Sequence, residues 1–467
     1  MAHENAFSTR DMLSRLGIVA AASIVTGILA HISGFDGNQV VSCAIFIMTI
    51  VATLVFWPLR LAIALVGLAA LLGCRVLTLP AFIASCQLDI ILFLVGMMVT
   101  VGVLKDLGLF TWIIQSVLRM PRMTGTRFVV ATAVLGGALA AVVDEVTSIV
   151  FLAALIFQVC DTLKIRPTPF VIVAVLATNV GSASTMLGNP VGVLIGYKAG
   201  FTFWDFIFHA APVAAIVMAA VVLICLAWFR PEIQEMSVRL QQRRDKDLGL
   251  GPLVQVPYGR GIAVLAALLV LIGVHHGIEK LLGLERNTVL IVAPLFFAGL
   301  LMLWRHQRAR HYIEQEVEWW TLLFFMMLFA VAGTLEHTGV TSRIAGNFAA
   351  MSGSRPILLA PLVIGISAAG SAFVDNVVFV AAAIPVIREL QHPYLWWALL
   401  FGACFGGNIT MIGSTANIVA IGMLEKRYHL HVSFREWIRL GVAVGIVSCL
   451  LALAALALMA RFLPAAH

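Results

Sequence analysis

The feature that most constrains the fold of this chain is a series of apolar runs, many of them long enough to cross a lipid bilayer. Residues 14–33, 206–229 and 438–459 are three examples, and a membrane-spanning helix needs roughly 20 such residues. Hydrophobic residues make up 61% of the chain and charged residues only 11%, whereas soluble domains are about a quarter charged. Because backbone groups inside lipid must bond to one another, the sequence predicts an all-α polytopic membrane protein.

The charged residues stand mainly in short connections between the apolar runs. Basic residues are dense at 119–127, 230–247 and 305–310, so the positive-inside rule predicts that these connections and the N-terminus face the cytoplasm. The formal net charge of +7 follows from this topology and does not indicate nucleic-acid binding. We expect a multi-pass protein of the inner (plasma) membrane, surrounded by the lipid bilayer, whose first apolar run is retained as a helix.

Two halves of the sequence match each other in the same order. The segment "VVDEVTSIVFLAALI" at 142–156 matches "FVDNVVFVAAAIPVI" 231 positions later, and "TMLG" at 185–188 matches "TMIG" 225 positions later. We therefore predict an internal duplication, and two copies in opposite orientation are usual in secondary transporters. The predicted parts are an N-terminal segment with the first transmembrane helix, repeat 1, a cytoplasmic linker and repeat 2, at 1–36, 37–229, 230–260 and 261–467.

Each repeat carries acidic residues inside otherwise apolar sequence. Asp144, Glu145 and Thr147 interrupt repeat 1, and Asp375 and Asn376 stand at the matching place in repeat 2. A charged side chain at the centre of a membrane helix costs roughly 2.5–3.5 kcal/mol on insertion scales, so each is a candidate for function. The preceding runs are rich in glycine and alanine, which favours a tight reversal. We predict a re-entrant helical hairpin in each repeat, with these residues at its tip.

A second polar stretch in each repeat interrupts a run long enough to span the membrane. These stretches are "TNVGSASTMLGNPVG" at 178–192 and "GGNITMIGSTANIVAIG" at 406–422. Glycine releases the backbone from helix geometry, and Pro190 disfavours a helical Asn189, so we predict an unwound segment in each. Exposed oxygens there suit a hard cation such as sodium, and the half-helix that follows directs its positive end at an anion. The alternative, that small polar residues only pack helices, explains single residues better than two duplicated clusters.

At these motifs the chain resembles the ion transporter superfamily, which includes the ArsB arsenite permeases, NhaD-type sodium/proton antiporters and divalent-anion:sodium symporters. "FVDNVVFVAAAIPVI" and "TNVGSASTMLGNPVGVLIGYKAGFTFWDF" look most like the bacterial relatives of the melanosomal P protein. The resemblance implies a scaffold domain, a transport domain, a homodimer and an elevator mechanism. It implies an ion- and substrate-binding site at Asp144, Glu145, Thr178, Asn179, Ser182, Ser184, Thr185, Gly188, Asn189, Asp375, Asn376, Gly407, Asn408, Thr410, Gly413, Ser414, Thr415 and Asn417. Thr147 joins these candidates as a polar residue of the first tip.

The sequence departs from the superfamily pattern at two places. The first unwound turn is commonly GDPPN and reads "GNPVG" here, so Asn189 stands where relatives often carry aspartate. The first hairpin tip is commonly Asp-Asn and reads Asp-Glu here, so a carboxylate has moved from the loop to the hairpin. No cofactor is expected other than a sodium ion, with candidate ligands Asp144, Asn189, Asp375 and Asn408. The seven scattered cysteines are expected to be small buried apolar residues.

The residues favour a secondary active transporter that couples movement of a small inorganic ion to protons or sodium. Cation/proton antiport is favoured over dicarboxylate transport because acidic hairpin tips bind cations and repel carboxylates. An anion, oxyanion, arsenite or silicic-acid permease is the alternative within this class, and a passive ion channel is the alternative outside it. The sequence has no HExxH, GxSxG or GxxxxGK[ST] motif, so no enzymatic activity is expected.

Overall fold

The computed structural model of the chain describes residues 9–246, 256–352 and 358–459. All regular structure within these ranges is helical. Nine of the described helices are long and apolar enough to cross a membrane, or up to ten if the bent pair Thr288–Trp304 and His306–Glu316 forms one span. The prediction of an all-α polytopic membrane protein is therefore confirmed.

The first half of the chain contains thirteen described α-helices, the last of which is polar. Their bounds are α1 Thr9–Ile32, α2 Gly37–Val55, α3 Arg60–Gly73, α4 Leu79–Ser85, α5 Leu88–Asp106, α6 Leu109–Leu118, α7 Gly125–Val142, α8 Glu145–Leu163, α9 Thr168–Gly181, α10 Pro190–Ala199, α11 Phe203–Asp205, α12 Ala211–Trp228 and α13 Arg230–Asp245. Helix α13 occupies part of the predicted linker at 230–260, and residues 247–255 of that linker lie outside the described ranges.

The second half contains ten described α-helices. Their bounds are α14 Gly259–Leu282, α15 Thr288–Trp304, α16 Ala309–His311, α17 Trp319–His337, α18 Val340–Ser352, α19 Leu359–Phe373, α20 Asn376–Glu389, α21 Pro393–Gly406, α22 Thr415–Tyr428 and α23 Phe434–Met459. Helices α8 and α20 begin 231 positions apart, and α10 and α22 begin 225 positions apart. Matching sequences thus form matching elements, while the opposite orientation of the two repeats stays a prediction.

The chain separates into two compact units, each of which combines residues of both predicted repeats. The first unit is Met1–Ile91, Glu318–Ser354 and Ala381–Gln391, and the second is Leu92–Val317, Arg355–Val380 and His392–His467. Both predicted hairpin tips and both predicted unwound segments lie in the second unit. The repeat boundaries themselves stay a prediction.

Inside the first unit, a buried arginine joins α3 to α17. Arg60 is only 8% exposed, and its guanidinium donates a hydrogen bond to the Thr321 hydroxyl at 3.1 Å. The guanidinium carbon also lies 4.4 Å from the centre of the Trp57 ring. The ring face and the hydroxyl together solvate a charge that is costly to bury.

Inside the second unit, two helix pairs cross at backbone contact distance next to the unwound segments. A Cβ atom built on Gly181 would lie 2.2 Å from Gly137 Cα, and one built on Gly406 would lie 2.4 Å from Ala368 Cα. The first pair belongs to α9 and α7, and the second has the equivalent positions in α21 and α19. Only glycine permits this approach, which holds the first helix of each hairpin against a broken helix.

Gly181→Ala is expected to destabilise the protein, because the added methyl group must displace the backbone of α7. Overpacking of this kind costs about 1–3 kcal/mol. Gly277→Ala is the matched control, since a Cβ atom there meets nothing within 4 Å inside α14 and alanine favours a helix. Thermal unfolding of the detergent-solubilised protein should shift downward for the first variant alone. Equal shifts for the two variants would show that the crossing is not tight.

Candidate functional site

The first hairpin tip is an extended break between α7 and α8. Asp144 is the N-cap residue of α8, and its carboxylate accepts hydrogen bonds from the amide and the hydroxyl of Thr147, both at 2.6 Å. An N-cap acceptor satisfies amides that have no partner at a helix start. Asp144 therefore bonds within its own helix start, and Glu145 is the tip carboxylate whose bonds reach other segments.

The second hairpin tip lies between α19 and α20. Asp375 Oδ1 and Asn376 Oδ1 each accept a hydrogen bond from the Val377 amide, at 3.0 and 2.9 Å. Asp375 Oδ2 also accepts a hydrogen bond from the Thr415 hydroxyl at 2.7 Å. Because Thr415 is the first residue of α22, this tip is bound directly to the second polar stretch.

Both polar stretches interrupt their helices where the sequence predicts unwinding. Helix α9 ends at Gly181 and α10 begins at Pro190, while α21 ends at Gly406 and α22 begins at Thr415. Asn189 caps α10 by accepting a hydrogen bond from the amide three residues later at 2.8 Å. Proline suits the first helical position because no intrahelical partner exists there for an amide. The local sequence thus ends one helix and starts the next within a few residues.

Each break is tied to its hairpin by a threonine. The Thr185 hydroxyl donates a hydrogen bond to the Ala141 carbonyl in α7, and the Thr410 hydroxyl donates one to the Ala372 carbonyl in α19. Each hydroxyl also accepts a hydrogen bond from the amide two residues later, at 3.1 and 3.3 Å. The same bonds therefore occur in both halves, and they satisfy backbone groups that water cannot reach in a membrane.

Glu145 joins the two breaks. Its side chain is buried, with the residue 5% exposed. Oε2 accepts a hydrogen bond from the Ser182 hydroxyl at 3.1 Å, and Oε1 accepts one from the Ser414 hydroxyl at 3.2 Å. Within the described ranges, no lysine, arginine or histidine side chain hydrogen-bonds to this carboxylate. A buried charge without a counter-charge is costly, so the arrangement suits a cation or a proton.

Three buried asparagines bond to one another beside Glu145. Asn179 Nδ2 donates hydrogen bonds to Oδ1 of Asn408 and of Asn417, both at 2.8 Å. Asn179 Oδ1 accepts a hydrogen bond from the Ser414 hydroxyl at 3.1 Å. Asn417 Nδ2 donates to two carbonyls of the second break, at 2.8 and 3.0 Å. The amides thus satisfy carbonyls that the broken helix leaves free.

A cysteine belongs to the same set of contacts, although its sequence context suggests only a buried apolar residue. Asn189 Nδ2 donates hydrogen bonds to Ser182 Oγ at 2.8 Å and to Cys404 Sγ at 3.3 Å. Cys404 stands 225 positions after Asn179, which is the offset between the two breaks. Asn179 contacts Ser414, the cap of α22, and Cys404 contacts Asn189, the cap of α10. The 225-position offset from Asn179 is therefore the sequence signal that could have identified Cys404 as a site residue.

Part of the predicted site therefore comes together in one set of buried contacts, which we name the central network. Its members share direct hydrogen bonds across the start of α8, the ends of α9 and α21, both breaks and the start of α22. The central network consists of Glu145, Asn179, Ser182, Asn189, Cys404, Asn408, Ser414 and Asn417.

Other predicted residues lie beside the central network without joining it. The Thr178 hydroxyl bonds to a carbonyl of its own helix at 2.8 Å, and the Ser184 side chain has no hydrogen bond within the described ranges. Gly188 and Gly413 contribute by having no side chain. A Cβ atom on either residue would lie under 3.0 Å from a backbone carbonyl oxygen, which for Gly188 is that of Ser182. They let each break fold back on itself.

The predicted sodium ligands are already engaged in separate contacts. Asn189 Oδ1 accepts a hydrogen bond from its own helix start, and Asn408 Oδ1 accepts one from Asn179. Asp144 and Asp375 accept hydrogen bonds at their own hairpin tips. Among the residues that the structure describes, no group of three or more His, Cys, Asp or Glu side chains could hold a metal ion. The sodium site stays a prediction.

Thr185→Val is expected to lower the unfolding temperature, because it removes the hydroxyl that bonds the first break to α7 without changing side-chain shape. Leaving a buried carbonyl and amide unpaired costs about 1–3 kcal/mol. Thr132→Val is the matched control, since that hydroxyl bonds to carbonyls of its own helix, which the helix already satisfies. Thermal unfolding in detergent separates the two. A Thr185 variant as stable as the control would show that the bond contributes nothing.

Comparison with known proteins places these features in a family. The sequence profile of the CitMHS family, described as citrate transporter, matches residues 43–402. An uncharacterized transporter of Mycobacterium tuberculosis is 32% identical over 418 residues, which cover 87% of this chain and 94% of that protein. The human P protein is 26% identical over 510 positions, which cover 90% of this chain and 60% of the P protein.

A solved structure has the same fold over most of the chain. The crystal structure of the YdaH transporter of Alcanivorax borkumensis covers 82% of this chain and 87% of its own, with a TM-score of 0.55 and 17% identity. The profile match spans most of the sequence, and a relative exceeds 30% identity. The chain therefore belongs to the CitMHS citrate transporter family of the ion transporter superfamily.

Proposed function

We propose that the chain is a secondary active transporter of the inner membrane that couples movement of a small inorganic ion to protons or sodium, by an elevator-type movement. The observation that carries this proposal is the bonding of Glu145 to one serine from each break. A cation or proton at Glu145 neutralises a charge held between the two breaks. Because Glu145 bonds to both breaks, an ion bound there changes the free energy of both. Coupled transport requires that the binding of one solute change the free energy of binding of the other.

The other two tip carboxylates favour a cation as the coupled species. Asp144 directly precedes Glu145 in the chain, and Asp375 bonds to Thr415, the residue after the Ser414 that bonds to Glu145. Their negative charge adds to the attraction that a cation meets on entering the central network, and it opposes an anion. Cation/proton antiport is accordingly the form of coupling that we propose first.

A carboxylate anion is the second candidate substrate. The description of the family names citrate, and helices α10 and α22 begin at the central network with the neutral caps Asn189 and Ser414. A helix start favours negative charge by typically 0.3–1 kcal/mol. An anion is thus attracted by two helix starts and repelled by Glu145, so its transport would require that Glu145 be neutralised.

The proposal extends to the assembly and its orientation. We propose a homodimer, on the grounds of the superfamily resemblance alone. We propose that the N-terminus and the 230–260 linker face the cytoplasm, because basic residues are dense there.

Proteoliposomes with an internal pH dye test the proposal directly. Sodium, lithium, chloride, arsenite and citrate are applied in turn to the wild type and to Glu145→Gln, Asp144→Asn and Asp375→Asn. At least one solute is expected to drive proton or sodium movement, and Glu145→Gln should slow it at least about tenfold, which corresponds to about 1.4 kcal/mol. The matched control is Glu316→Gln, a carboxylate with an 18% exposed side chain that pairs with Lys105 outside the site.

The outcomes separate the alternatives. If no solute moves protons or sodium in the wild type, coupled transport is wrong. A conductance that depends on membrane voltage but on no counter-ion indicates a channel. If Glu145→Gln behaves like Glu316→Gln while the wild type is active, transport is right and the assigned coupling residue is wrong.

The charge of the site should be transferable from position 145 to position 189. Ser182 Oγ bonds to Glu145 on one side and to Asn189 on the other, at 3.1 and 2.8 Å. Aspartate caps a helix as well as asparagine does, so Asn189→Asp preserves the start of α10. We expect the double variant Glu145→Gln/Asn189→Asp to regain coupled transport that Glu145→Gln loses. Asn189→Asp alone should be impaired, because two carboxylates then share one hydroxyl. A double variant no better than Glu145→Gln would mean that coupling depends on the position of the carboxylate.

A further inference from the structure

Two buried oxygen atoms without hydrogen-bond partners belong to residues that flank the turn between α14 and α15, in the second unit and outside the central network. They are Glu279 Oε2 and Asn287 Oδ1, and the two residues are 2% and 3% exposed. His275, one turn before Glu279 on α14, is fully buried and leaves Nε2 without a partner. Each buried polar atom without a partner costs about 1–3 kcal/mol, so their concentration at one turn indicates a ligand.

The chemistry of these atoms selects a cation. Carboxylate and amide oxygens are hydrogen-bond acceptors only. His275 Nδ1 lies 2.6 Å from the Ile272 carbonyl oxygen, and because a carbonyl accepts, the proton belongs on Nδ1 and a lone pair on Nε2. All three atoms therefore present lone pairs. Oxygens that accept hydrogen bonds but cannot donate them attract a positive ion, and the two oxygens of Glu279 and Asn287 are the basis of the proposed site.

The Glu279 side chain reaches the start of α15, the helix that Asn287 precedes. Glu279 Oε1 accepts a hydrogen bond from the Val289 amide at 2.9 Å, in the first turn of α15. That is the role an N-cap side chain usually fills, and the N-cap residue here is Asn287, with a left-handed φ of 65°. Since Glu279 has taken the capping bond, the Asn287 oxygen at the same helix start is left without a donor.

A half-exposed histidine places a nitrogen atom near the Glu279 carboxylate. His276 Nδ1 lies 3.8 Å from Glu279 Oε2, and its side chain is 55% exposed. A zinc ion binds imidazole nitrogen and carboxylate oxygen at about 2.0–2.2 Å each, so an ion fits between atoms at this separation. The amide oxygen of Asn287, which has no hydrogen-bond partner at the same turn, is the remaining candidate ligand.

We propose that this turn binds a divalent transition-metal cation of the zinc class through His276 Nδ1, Glu279 Oε2 and Asn287 Oδ1. Imidazole nitrogen favours Zn²⁺ and Co²⁺ over Mg²⁺ and Ca²⁺, which prefer all-oxygen sites. The proposal does not depend on which solute the protein transports.

The bound cation holds the far end of a site helix. Asn287 Nδ2 donates a long hydrogen bond, 3.5 Å, to the Tyr197 carbonyl near the end of α10. A Cβ atom on Gly200, the C-cap of α10, would lie 3.3 Å from the Arg286 guanidinium. Helix α10 starts at the central network, so fixing Asn287 fixes the opposite end of the helix that presents Asn189.

Metal binding by the purified, tag-free full chain tests the proposal. Equilibrium dialysis should give one Zn²⁺ per chain, and Co²⁺ should bind with a visible absorption spectrum typical of mixed nitrogen and oxygen ligands. Mg²⁺ should bind at least about 100-fold more weakly than Zn²⁺. The variants are Glu279→Gln, which keeps an acceptor for the Val289 amide, Asn287→Gly, which keeps the left-handed φ, and His276→Gln. Each should weaken Zn²⁺ binding at least about tenfold.

His337→Gln is the matched control, because His337 is an exposed histidine at the end of α17 and should not affect the affinity. No Zn²⁺ or Co²⁺ binding below about 1 mM in the wild type, or equal binding in all the variants, would overturn the proposal and leave water as the partner of these oxygens. Thermal unfolding of the metal-free variants checks that they fold. His276→Gln lies at a half-exposed position and keeps the test valid if either buried variant fails to fold.

Discussion

The sharing of the Glu145 carboxylate between Ser182 and Ser414 is the interaction on which the rest of the site depends. Two broken helices inside a membrane leave carbonyls and amides without partners, and no water replaces them in lipid. Thr185, Thr410 and Asn417 satisfy many of these groups with neutral side chains. The charge of Glu145 is therefore not needed to repair the backbone. It is held between the breaks by hydroxyl groups, whose hydrogen bonds can reorient when a ligand arrives.

The site is symmetric in its bonding and asymmetric in its chemistry. Asn179 and Cys404 occupy equivalent positions, and each contacts the cap of the half-helix in the other half of the sequence. The Thr185 and Thr410 bonds repeat in the same way. Glu145, however, has Asn376 as its equivalent 231 positions later. The duplicated framework thus positions one central carboxylate where strict symmetry would give two, and a single charge is simpler to neutralise with a single ion.

Local chemistry made the fold and the two breaks predictable from the sequence. Long apolar runs require helices in lipid, and the Gly, Asn and Pro residues around Pro190 end one helix and start another whatever surrounds them. The central role of Glu145 could not be predicted in this way. Its partners are 37 and 269 positions away, so the sequence alone gives no reason to rank Glu145 above Asp144 or Asp375. The role of Cys404 could not be predicted for a similar reason. A buried cysteine is read as an apolar residue unless its contact with Asn189 is known.

The family is described as a citrate transporter, yet the candidate site contains the carboxylate of Glu145, which repels an anion. The two are compatible if a cation or proton binds before the anion. A carboxylate anion approaching the starts of α10 and α22 meets two favourable helix dipoles, each of which contributes about 0.3–1 kcal/mol near a surface and more when buried. It also meets Glu145, and two like charges 4 Å apart repel by about 4 kcal/mol at an effective dielectric constant of 20. The repulsion cancels even the larger of these attractions unless a cation or proton has first neutralised Glu145. If the protein carries an anion, the second candidate substrate, cation or proton binding at Glu145 is then a precondition for the anion to enter, and coupling follows from this charge balance.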